Sequence, residues 1–259
     1  MIEAAPDIKA CCAAAYSTSA ARFLLGDSFH PGGQALTAEL IGALRVGPDA
    51  TVVDVASGPG TSAIQMARAT GCQVIGVELS PANVASASAA ANDAGCSDRV
   101  RFVQGDSEAL PLDTGMLDGA LCECALCTFP DKPQSVRELA RVLRPGARLA
   151  LSDMTADLER LPPELTDLKA WIACIADAKP LPELVALLER AGFAVEKAEP
   201  RAGVLDELLL RVEARLKLAE MLRTPIAPEA VADGLNVVNA ARRAVSDGIL
   251  GYAVVIARR

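Results

Sequence analysis

The sequence Val52-Val53-Asp54-Val55-Ala56-Ser57-Gly58-Pro59-Gly60-Thr61 joins an apolar strand to a turn that contains two glycines. A helix is predicted to follow over 62–70, and a second apolar strand over 73–77 ends at Glu78. Glycine lets the backbone approach a bound ligand closely, and an acid about 20 residues further on accepts hydrogen bonds from ribose hydroxyls. The spacing from Gly58 to Glu78 therefore predicts a nucleoside pocket.

The composition indicates a protein with a sizeable core and no nucleic-acid surface. Of the 259 residues, 51% are hydrophobic and 3% aromatic, and the formal net charge is −8. Binding of a phosphate backbone needs a basic footprint, so we expect no nucleic-acid partner. Met1-Ile2-Glu3 lacks the positive start of a signal peptide, and no apolar run reaches the roughly 18 residues of a membrane span. We expect a soluble cytoplasmic protein whose eight cysteines are mostly reduced thiols.

Strand and helix patterns alternate through the middle of the chain. Strands are predicted over 51–55, 73–77, 101–104, 117–122 and 147–153. Helices are predicted over 62–70, 81–94 and 132–143, and the segment 143–146 is predicted to be the turn into the fifth strand. Alternation of units of this length indicates a parallel sheet with helices on both faces.

Helical patterns flank this alternation on both sides. Helices are predicted before it over 8–16, 19–25 and 33–44, and after it over 164–176, 181–191, 204–223 and 229–246. Two more strands are predicted over 193–199 and 252–257, and we expect the last one to close an edge of the sheet.

Two further motifs restrict the ligand. Gly105-Asp106-Ser107 follows the third strand and places a carboxylate where an adenine amino group can bind, and Arg144-Pro145-Gly146 precedes the fifth strand. A nicotinamide dehydrogenase is the competing interpretation, and its fingerprint has a third glycine inside the helix, where this chain has Ala63. That interpretation gives no role to the Gly-Asp and Arg-Pro-Gly segments. A non-binding α/β protein with a chance glycine turn is the third interpretation.

With these motifs in order, residues 51–155 resemble the class I S-adenosylmethionine-dependent methyltransferases. The resemblance implies a Rossmann-like doubly wound α/β sheet and S-adenosylmethionine as the cofactor. It also implies that residues 1–50 form an N-terminal helical lid, that 51–155 form the cofactor-binding core, and that 156–259 form a helical substrate cap with the final strands of the sheet.

The same resemblance implies roles for residues around the cofactor. Asp54 and the loop 56–60 would hold the methionine moiety, Glu78 the ribose hydroxyls, and Asp106 and Ser107 the adenine. Ala56 stands where the family usually has glycine, and we expect it to need only ordinary β angles. Tyr16 is expected either to close over the cofactor or to pack under a helix. The predicted cofactor-binding residues are Tyr16, Asp54, Ala56, Ser57, Gly58, Gly60, Glu78, Leu79, Asp106, Ser107, Cys122 and Glu123.

Three cysteines follow the fourth strand in Cys122-Glu123-Cys124-Ala125-Leu126-Cys127. Ligands of open parallel sheets bind at the carboxyl ends of strands, so these thiols are expected beside the methyl donor. Cys122 and Cys124 would share a face if the strand continued. A cysteine is usually a small buried hydrophobe, and this spacing is not a zinc signature, so we predict no metal. Because soft thiolates select soft acceptors, a thiophilic small-molecule substrate fits better. Cys72 and Cys96, at the opposite end of the sheet, look structural.

The segment from Cys124 to Lys132, followed by Leu151-Ser152-Asp153, is similar to arsenite methyltransferases. The resemblance implies that Cys124 binds the metalloid and that Cys174, ahead of the Ala191-Gly192-Phe193 turn, is the second metalloid-binding cysteine. Cys127 and Cys12 are further catalytic candidates, and Cys11 or Cys12 is offered as a third ligand.

The resemblance implies methyl transfer to thiolate-bound trivalent arsenic, as arsenite or methylarsenite. Two alternatives stay open. An ordinary methyltransferase would act on an oxygen, nitrogen or carbon of a small molecule, with the cysteines only lining its pocket. A non-catalytic regulator or thiol sensor would bind S-adenosylmethionine without turnover.

Overall fold

Seven strands form one sheet in the computed structural model, which describes residues 5–26, 28–167, 174–222 and 226–259. The strands are β1 (Thr51–Val55), β2 (Gln73–Glu78), β3 (Val100–Gln104), β4 (Leu117–Glu123), β5 (Leu143–Ala156), β6 (Ala194–Pro200) and β7 (Leu250–Arg258). The helices are α1 (Ala5–Tyr16), α2 (Ser19–Leu25), α3 (Gly33–Leu44), α4 (Thr61–Thr70), α5 (Pro81–Asp93), α6 (Lys132–Val142), α7 (Leu181–Arg190), α8 (Val204–Met221) and α9 (Pro228–Ser246).

The strand order is β3-β2-β1-β4-β5-β7-β6, and β7 runs antiparallel to both of its neighbours. The predicted Rossmann-like sheet is confirmed, with this one reversed strand. The expectation that the last strand closes an edge is wrong, because β7 lies between β5 and β6. Residues 252–257 are all buried, which is typical of an interior strand covered on both faces.

Strand β5 begins earlier than the sequence predicts. Leu143 already pairs with Leu117 of β4, and the register then shifts before Gly119 pairs with Arg148. The predicted turn at 143–146 is therefore an irregular part of the strand, in which Gly146 has a φ of 87°. The strand also ends later than predicted, at Ala156, because residues 148–156 all pair with β7.

Two apolar clusters cover the two faces of the sheet. One packs α3, α4 and α9 against one face, and the other packs α6 and α7 against the opposite face. Caps fix where the helices near the site begin: the Ser80 hydroxyl accepts a hydrogen bond from Asn83 N at 3.3 Å, and the Asp131 carboxylate accepts one from Gln134 N at 2.9 Å. Within the described parts of the chain, no helix is long and apolar enough to cross a membrane.

The predicted helix over 164–176 can be compared with the structure only at its two described ends, neither of which is α-helical. Residues Pro163–Leu165 form one turn of 3-10 helix, and residues 174–176 are not helical. The centre of the predicted helix, 168–173, lies outside the described residues. Cys174 therefore enters the site on an irregular segment of backbone.

Candidate functional site

A cavity opens at the carboxyl ends of β1, β2 and β4, and helix α1 lies across it. Twelve of the residues predicted from the sequence line this cavity: Cys12, Tyr16, Asp54, Ala56, Ser57, Gly58, Glu78, Leu79, Asp106, Ser107, Glu123 and Cys124. The other four, Gly60, Cys122, Cys127 and Cys174, lie outside its lining. The structure therefore brings most of the predicted cofactor residues together. Two of the predicted catalytic thiols, Cys127 and Cys174, lie behind the cavity wall.

The turn after β1 needs a left-handed backbone at three positions. Ala56 has a φ of 57°, Gly58 of 51° and Gly60 of 82°. The expectation of ordinary β angles at Ala56 is wrong, because the chain bends as soon as the strand ends and Ser57 N is held by Val77 O at 3.2 Å. A left-handed conformation costs a residue with a Cβ about 1–2 kcal/mol. That cost explains why glycine is the easier residue at position 56.

Gly60 has a packing role. A Cβ at this position would lie 2.5 Å from Phe102 Cζ and 2.9 Å from Ala87 Cβ. The absence of a side chain lets the turn press against β3 and α5, and this contact sets the position of Gly58, which does line the cavity.

Glu78 connects the turn to the end of β2. Its Oε2 accepts a hydrogen bond from Gly58 N at 2.9 Å, and its Oε1 accepts one from Ser80 N at 2.9 Å. Each carboxylate oxygen has a second lone pair, so the group can accept further hydrogen bonds from a ligand in the cavity.

Buried carboxylates give the cavity wall a negative character. Burial raises the pKa of Asp54 well above its usual range, and the nearby charges of Glu123 and Glu78 raise it further. Asp54 Oδ2, Glu123 Oε2 and Ser57 Oγ are buried and have no hydrogen-bond partner among the described residues. Buried polar groups of this kind need partners. A cationic ligand with an ammonium donor, as in S-adenosylmethionine, satisfies both the charge and the missing hydrogen bonds, so the residues present fit that cofactor.

On the predicted adenine side, Asp106 is held by the helix above it. Lys9 of α1 pairs with Asp106 at 2.7 Å and also with Glu108. Asp106 Oδ1 accepts a hydrogen bond from Glu108 N at 2.9 Å, and Ser107 Oγ lies 3.3 Å from Ser135 Oγ. This pairing ties α1 to the loop after β3.

Three thiols meet at the end of β4. The sulfur atoms of Cys124, Cys127 and Cys174 all lie within 4.8 Å of one another. Cys124 lines the cavity, whereas Cys127 and Cys174 are buried, with 3% and 4% of their surface exposed. Cys124 has a φ of 51° and Cys174 of 65°, a conformation that is uncommon for a residue with a side chain. The backbone is thus bent at both cysteines to direct their sulfurs toward one point.

The three thiols differ in acidity. Hydrogen bonds from Cys124 and Cys127 hold the pKa of the Cys174 thiol well below its usual range, with help from the Tyr16 hydroxyl and the Lys132 charge. Burial, followed by the hydrogen bonds to Cys124 and Cys174, raises the pKa of Cys127. The cluster therefore loses its first proton at Cys174.

The remaining cysteines lie apart from this cluster. Cys12 of α1 is buried and lines the cavity, and burial raises the pKa of its thiol to about 11. Cys122 is buried in the cluster on the α6 side of the sheet, whereas Cys124 packs against the opposite cluster. Cys122 and Cys124 were expected to share a face only if the strand continued, and that condition is not met, because the strand ends at Glu123 and the chain turns. Cys72 and Cys96 are buried at the other end of the sheet.

Several residues of the site were not predicted from the sequence. Asp153 is buried behind the cysteines, where its Oδ2 accepts a hydrogen bond from Cys127 N at 2.8 Å, and burial raises its pKa to about 7. Lys132 is buried, donates to Cys127 O and Phe129 O at 3.0 Å each, and pairs with Asp177. A charged residue within an apolar strand, such as Asp153 in β5, was the available signal.

Thr37 and His30 contact the carboxylate of Glu123 at the end of β4. Thr37 Oγ1 donates to Glu123 Oε1 at 3.0 Å, and His30 Nε2 lies 3.6 Å from the same oxygen. His30 lines the cavity. These contacts place α3 and the loop before it against the cofactor side of the sheet.

Residues 53–151 match the family model of a methyltransferase domain. The arsenite methyltransferase of Halobacterium salinarum is 31% identical over 164 residues, which cover 60% of this chain and 40% of that protein. The 27-O-demethylrifamycin SV methyltransferase of Amycolatopsis mediterranei is 33% identical over 169 residues, which cover 63% and 61% of the two chains. The solved structure of Haemonchus contortus phosphoethanolamine N-methyltransferase 2 in complex with S-adenosyl-L-methionine aligns with a TM-score of 0.78 at 18% identity, covering 93% of this chain and 56% of that one.

The fold and the acidic turn thus define a Rossmann-like methyltransferase domain. The match over residues 53–151, together with these relatives, confirms the predictions of a class I S-adenosylmethionine-dependent methyltransferase and of its cofactor. The chain spans about half the length of the curated relatives it matches, between 40% and 61% for the first three. Its own activity and substrate are therefore matters of proposal.

Proposed function

We propose that this protein transfers a methyl group from S-adenosylmethionine to trivalent arsenic bound by the thiolates of Cys124 and Cys174. The observation that carries the proposal is the convergence of three sulfurs within 4.8 Å at the wall of the cofactor cavity. At the roughly 2.3 Å length of a metal–thiolate bond, one soft ion spans two sulfurs up to about 4.6 Å apart. The three sulfurs need only small movements to hold one atom.

The donor set favours a substrate over a resident zinc ion. Structural zinc sites have four protein ligands. In the described part of the chain, the group consists of Cys124, Cys127 and Cys174 with no fourth member. Thiolates select soft acceptors, and a three-coordinate ion with a lone pair fits three sulfurs without a fourth ligand.

Each thiol has a distinct role in this proposal. Cys174 is the most acidic of the three and binds first, while Cys124, at the cavity wall, carries the arsenic to the cofactor side. Cys127 stands within reach as a third sulfur. When each thiol replaces an oxygen ligand of arsenite, its proton leaves with that oxygen as water.

The bound cofactor supplies an electrophilic methyl group on a sulfonium sulfur. Asp54, Ser57 and Glu123 would hold its amino-acid end, and Glu78 its ribose, because these groups line the cavity with unused hydrogen-bonding capacity. Trivalent arsenic would form the new As–C bond with its lone pair while the S–CH3 bond breaks, and the electron pair of that bond would leave with the sulfur of S-adenosylhomocysteine, so the transfer requires no general base. What the protein contributes is alignment of the acceptor with the donor.

Two substitutions test the proposal directly. Cys124→Ser and Cys174→Ser should each abolish arsenite methylation and leave S-adenosylmethionine affinity, measured by calorimetry, within about twofold of the parent. Cys96→Ser, on a thiol at the far end of the sheet, is the matched control and should retain activity. Full methylation by either single variant of the site would refute the thiolate mechanism.

A small-molecule O-methyltransferase is the second candidate, and it is favoured by similarity to three curated relatives that are O-methyltransferases. It predicts that the cysteines only line the pocket. The two candidates are separated by incubating the protein with labelled cofactor and with arsenite, methylarsenite or a panel of phenols. Label transfer to a phenol in Cys174→Ser at the parental rate would favour the second candidate.

A further inference from the structure

The hydroxyl group of Tyr16 contacts the thiol cluster from the cavity side. Tyr16 lies in the last turn of α1, and its Oη is 3.2 Å from the Cys174 sulfur. Its ring also stands 6.0 Å, centroid to centroid, from the ring of Phe29. The side chain therefore lines the cofactor cavity and touches a sulfur that the cavity itself does not reach.

The direction of this hydrogen bond follows from the protonation of its two atoms. Burial raises the pKa of Tyr16 well above its usual range, so the phenol keeps its proton. The pKa of Cys174 is shifted the other way. A protonated Cys174 can donate to Cys124 O at 3.5 Å, and once the thiol has lost its proton the sulfur accepts from the Tyr16 hydroxyl.

We propose that the Tyr16 hydroxyl is a positioning group that holds the Cys174 sulfur in the orientation that binds substrate. The inference rests on the proposed function in taking Cys174 as a substrate ligand. It goes beyond that function in joining the N-terminal helix to the thiol cluster: α1 covers the cofactor at one end and orients the acceptor-binding sulfur at the other.

The rest of α1 supports this link. Lys9 holds α1 against Asp106 on the predicted adenine side. Tyr16, seven positions later, is the last residue of the helix and contacts Cys174. A helix rises about 1.5 Å per residue, so these two anchors are about 10 Å apart and span the cavity between them. With Cys174 on an irregular segment and at a φ of 65°, its orientation depends on contacts such as this one.

The chain offers a matched pair of variants. Tyr16→Phe removes the hydroxyl and keeps the aromatic ring. Tyr252→Phe removes the other tyrosine hydroxyl, which is buried and donates to Ser152 Oγ at 2.9 Å. If Tyr16 merely packs under a helix, the two variants should behave alike toward Cys174.

The first experiment needs no arsenic. The parent and both variants, as full chains, are treated with iodoacetamide between about pH 5 and pH 9, and modification of the Cys174 peptide is followed by mass spectrometry. A hydrogen bond to a charged group changes an equilibrium by about tenfold or more, so the pH of half-maximal alkylation should rise by about one unit in Tyr16→Phe. A change of accessibility alone would scale the rate at every pH and leave this midpoint in place. An unshifted midpoint in Tyr16→Phe, or an equal shift in Tyr252→Phe, would overturn the inference.

The second experiment measures the two ligands separately by calorimetry. Arsenite affinity should fall about tenfold in Tyr16→Phe, whereas S-adenosylmethionine affinity should change by less than about twofold. Equal loss of both affinities would show that Tyr16 supports the cavity as a whole and does not position Cys174 specifically, and the inference would fail. Failure of the parent protein to bind arsenite would count against the proposed function alone, since the alkylation profile judges the role of Tyr16 independently.

Discussion

Substitution of Gly60 by alanine should destabilise the protein by about 2–5 kcal/mol. Two costs add. A left-handed backbone, here with a φ of 82°, costs a residue with a side chain about 1–2 kcal/mol. The added Cβ would lie 2.5 Å from Phe102 Cζ and 2.9 Å from Ala87 Cβ, and forcing one extra carbon into packed surroundings costs about 1–3 kcal/mol.

Two other glycines separate these costs. Gly115 has a φ of 66° but open space around a Cβ, so Gly115→Ala should lose only the backbone part, about 1–2 kcal/mol. Gly47 has open space and no left-handed backbone, so Gly47→Ala should be neutral or stabilising by about 0.4–1 kcal/mol.

The free energies of unfolding are obtained from urea denaturation of all three variants with the parent's m-value as a check on two-state behaviour. Calorimetry with S-adenosylmethionine gives the second readout, because a displaced turn also moves Gly58 N away from Glu78 and should weaken cofactor binding. If Gly60→Ala is no less stable than Gly115→Ala, the close packing of this turn against β3 and α5 is not what holds it.

Two further substitutions address the groups behind the cysteines. Burial raises the pKa of Asp153 to about 7 in the folded state, whereas an aspartate in the unfolded chain has a pKa of about 3.9. Between about pH 4 and pH 7 the folded state therefore binds more protons than the unfolded state. Stability should therefore fall as pH rises through that window and level off above it, and urea titrations at stepped pH should show a shallower fall in Asp153→Asn. Lys132→Met removes a buried ammonium that pairs with the partly exposed Asp177, and it leaves two backbone carbonyls without their donor, so it should cost about 1–3 kcal/mol in urea denaturation. Lys217 is exposed, and its partner Glu213 also pairs with Arg242, so Lys217→Met should cost less than about 1 kcal/mol; an equal loss in both lysine variants would contradict the role of lysine burial.

The sequence predicts the sheet and the glycine turn after β1 well because both depend on local patterns. Apolar strands alternate with helices from Thr51 to Asp153, and a glycine turn at a fixed distance from Glu78 is readable along one short segment. The place of β7 between β5 and β6 could not be read in the same way, since strand order depends on pairing between segments about 100 residues apart. The uninterrupted apolar run over 252–257 was the sign in the sequence of an interior strand covered on both faces.

The thiol cluster was only partly predictable for a related reason. Cys124 and Cys127 are three positions apart in the chain, but Cys174 follows Cys124 by 50 positions, and the described residues 174–176 are irregular where a helix was predicted. The similarity to arsenite methyltransferases pointed to Cys174 without indicating its geometry. Tyr16 precedes Cys174 by 158 positions, so no local sequence pattern indicates their contact.

The backbone itself shows where local rules yield to the site. Among the described residues, four other than glycine have a positive φ, and three of them are Ala56, Cys124 and Cys174. Such conformations cost about 1–3 kcal/mol each and persist only where the surrounding structure enforces them. At Cys124 and Cys174 glycine would avoid that cost but would remove the sulfur, so the strain and the thiol must be kept together. The preference of residues with a side chain for a negative φ is thus overridden at the positions that bring side chains together at the cavity. Conflicts of this kind between local and global structure are expected at functional sites.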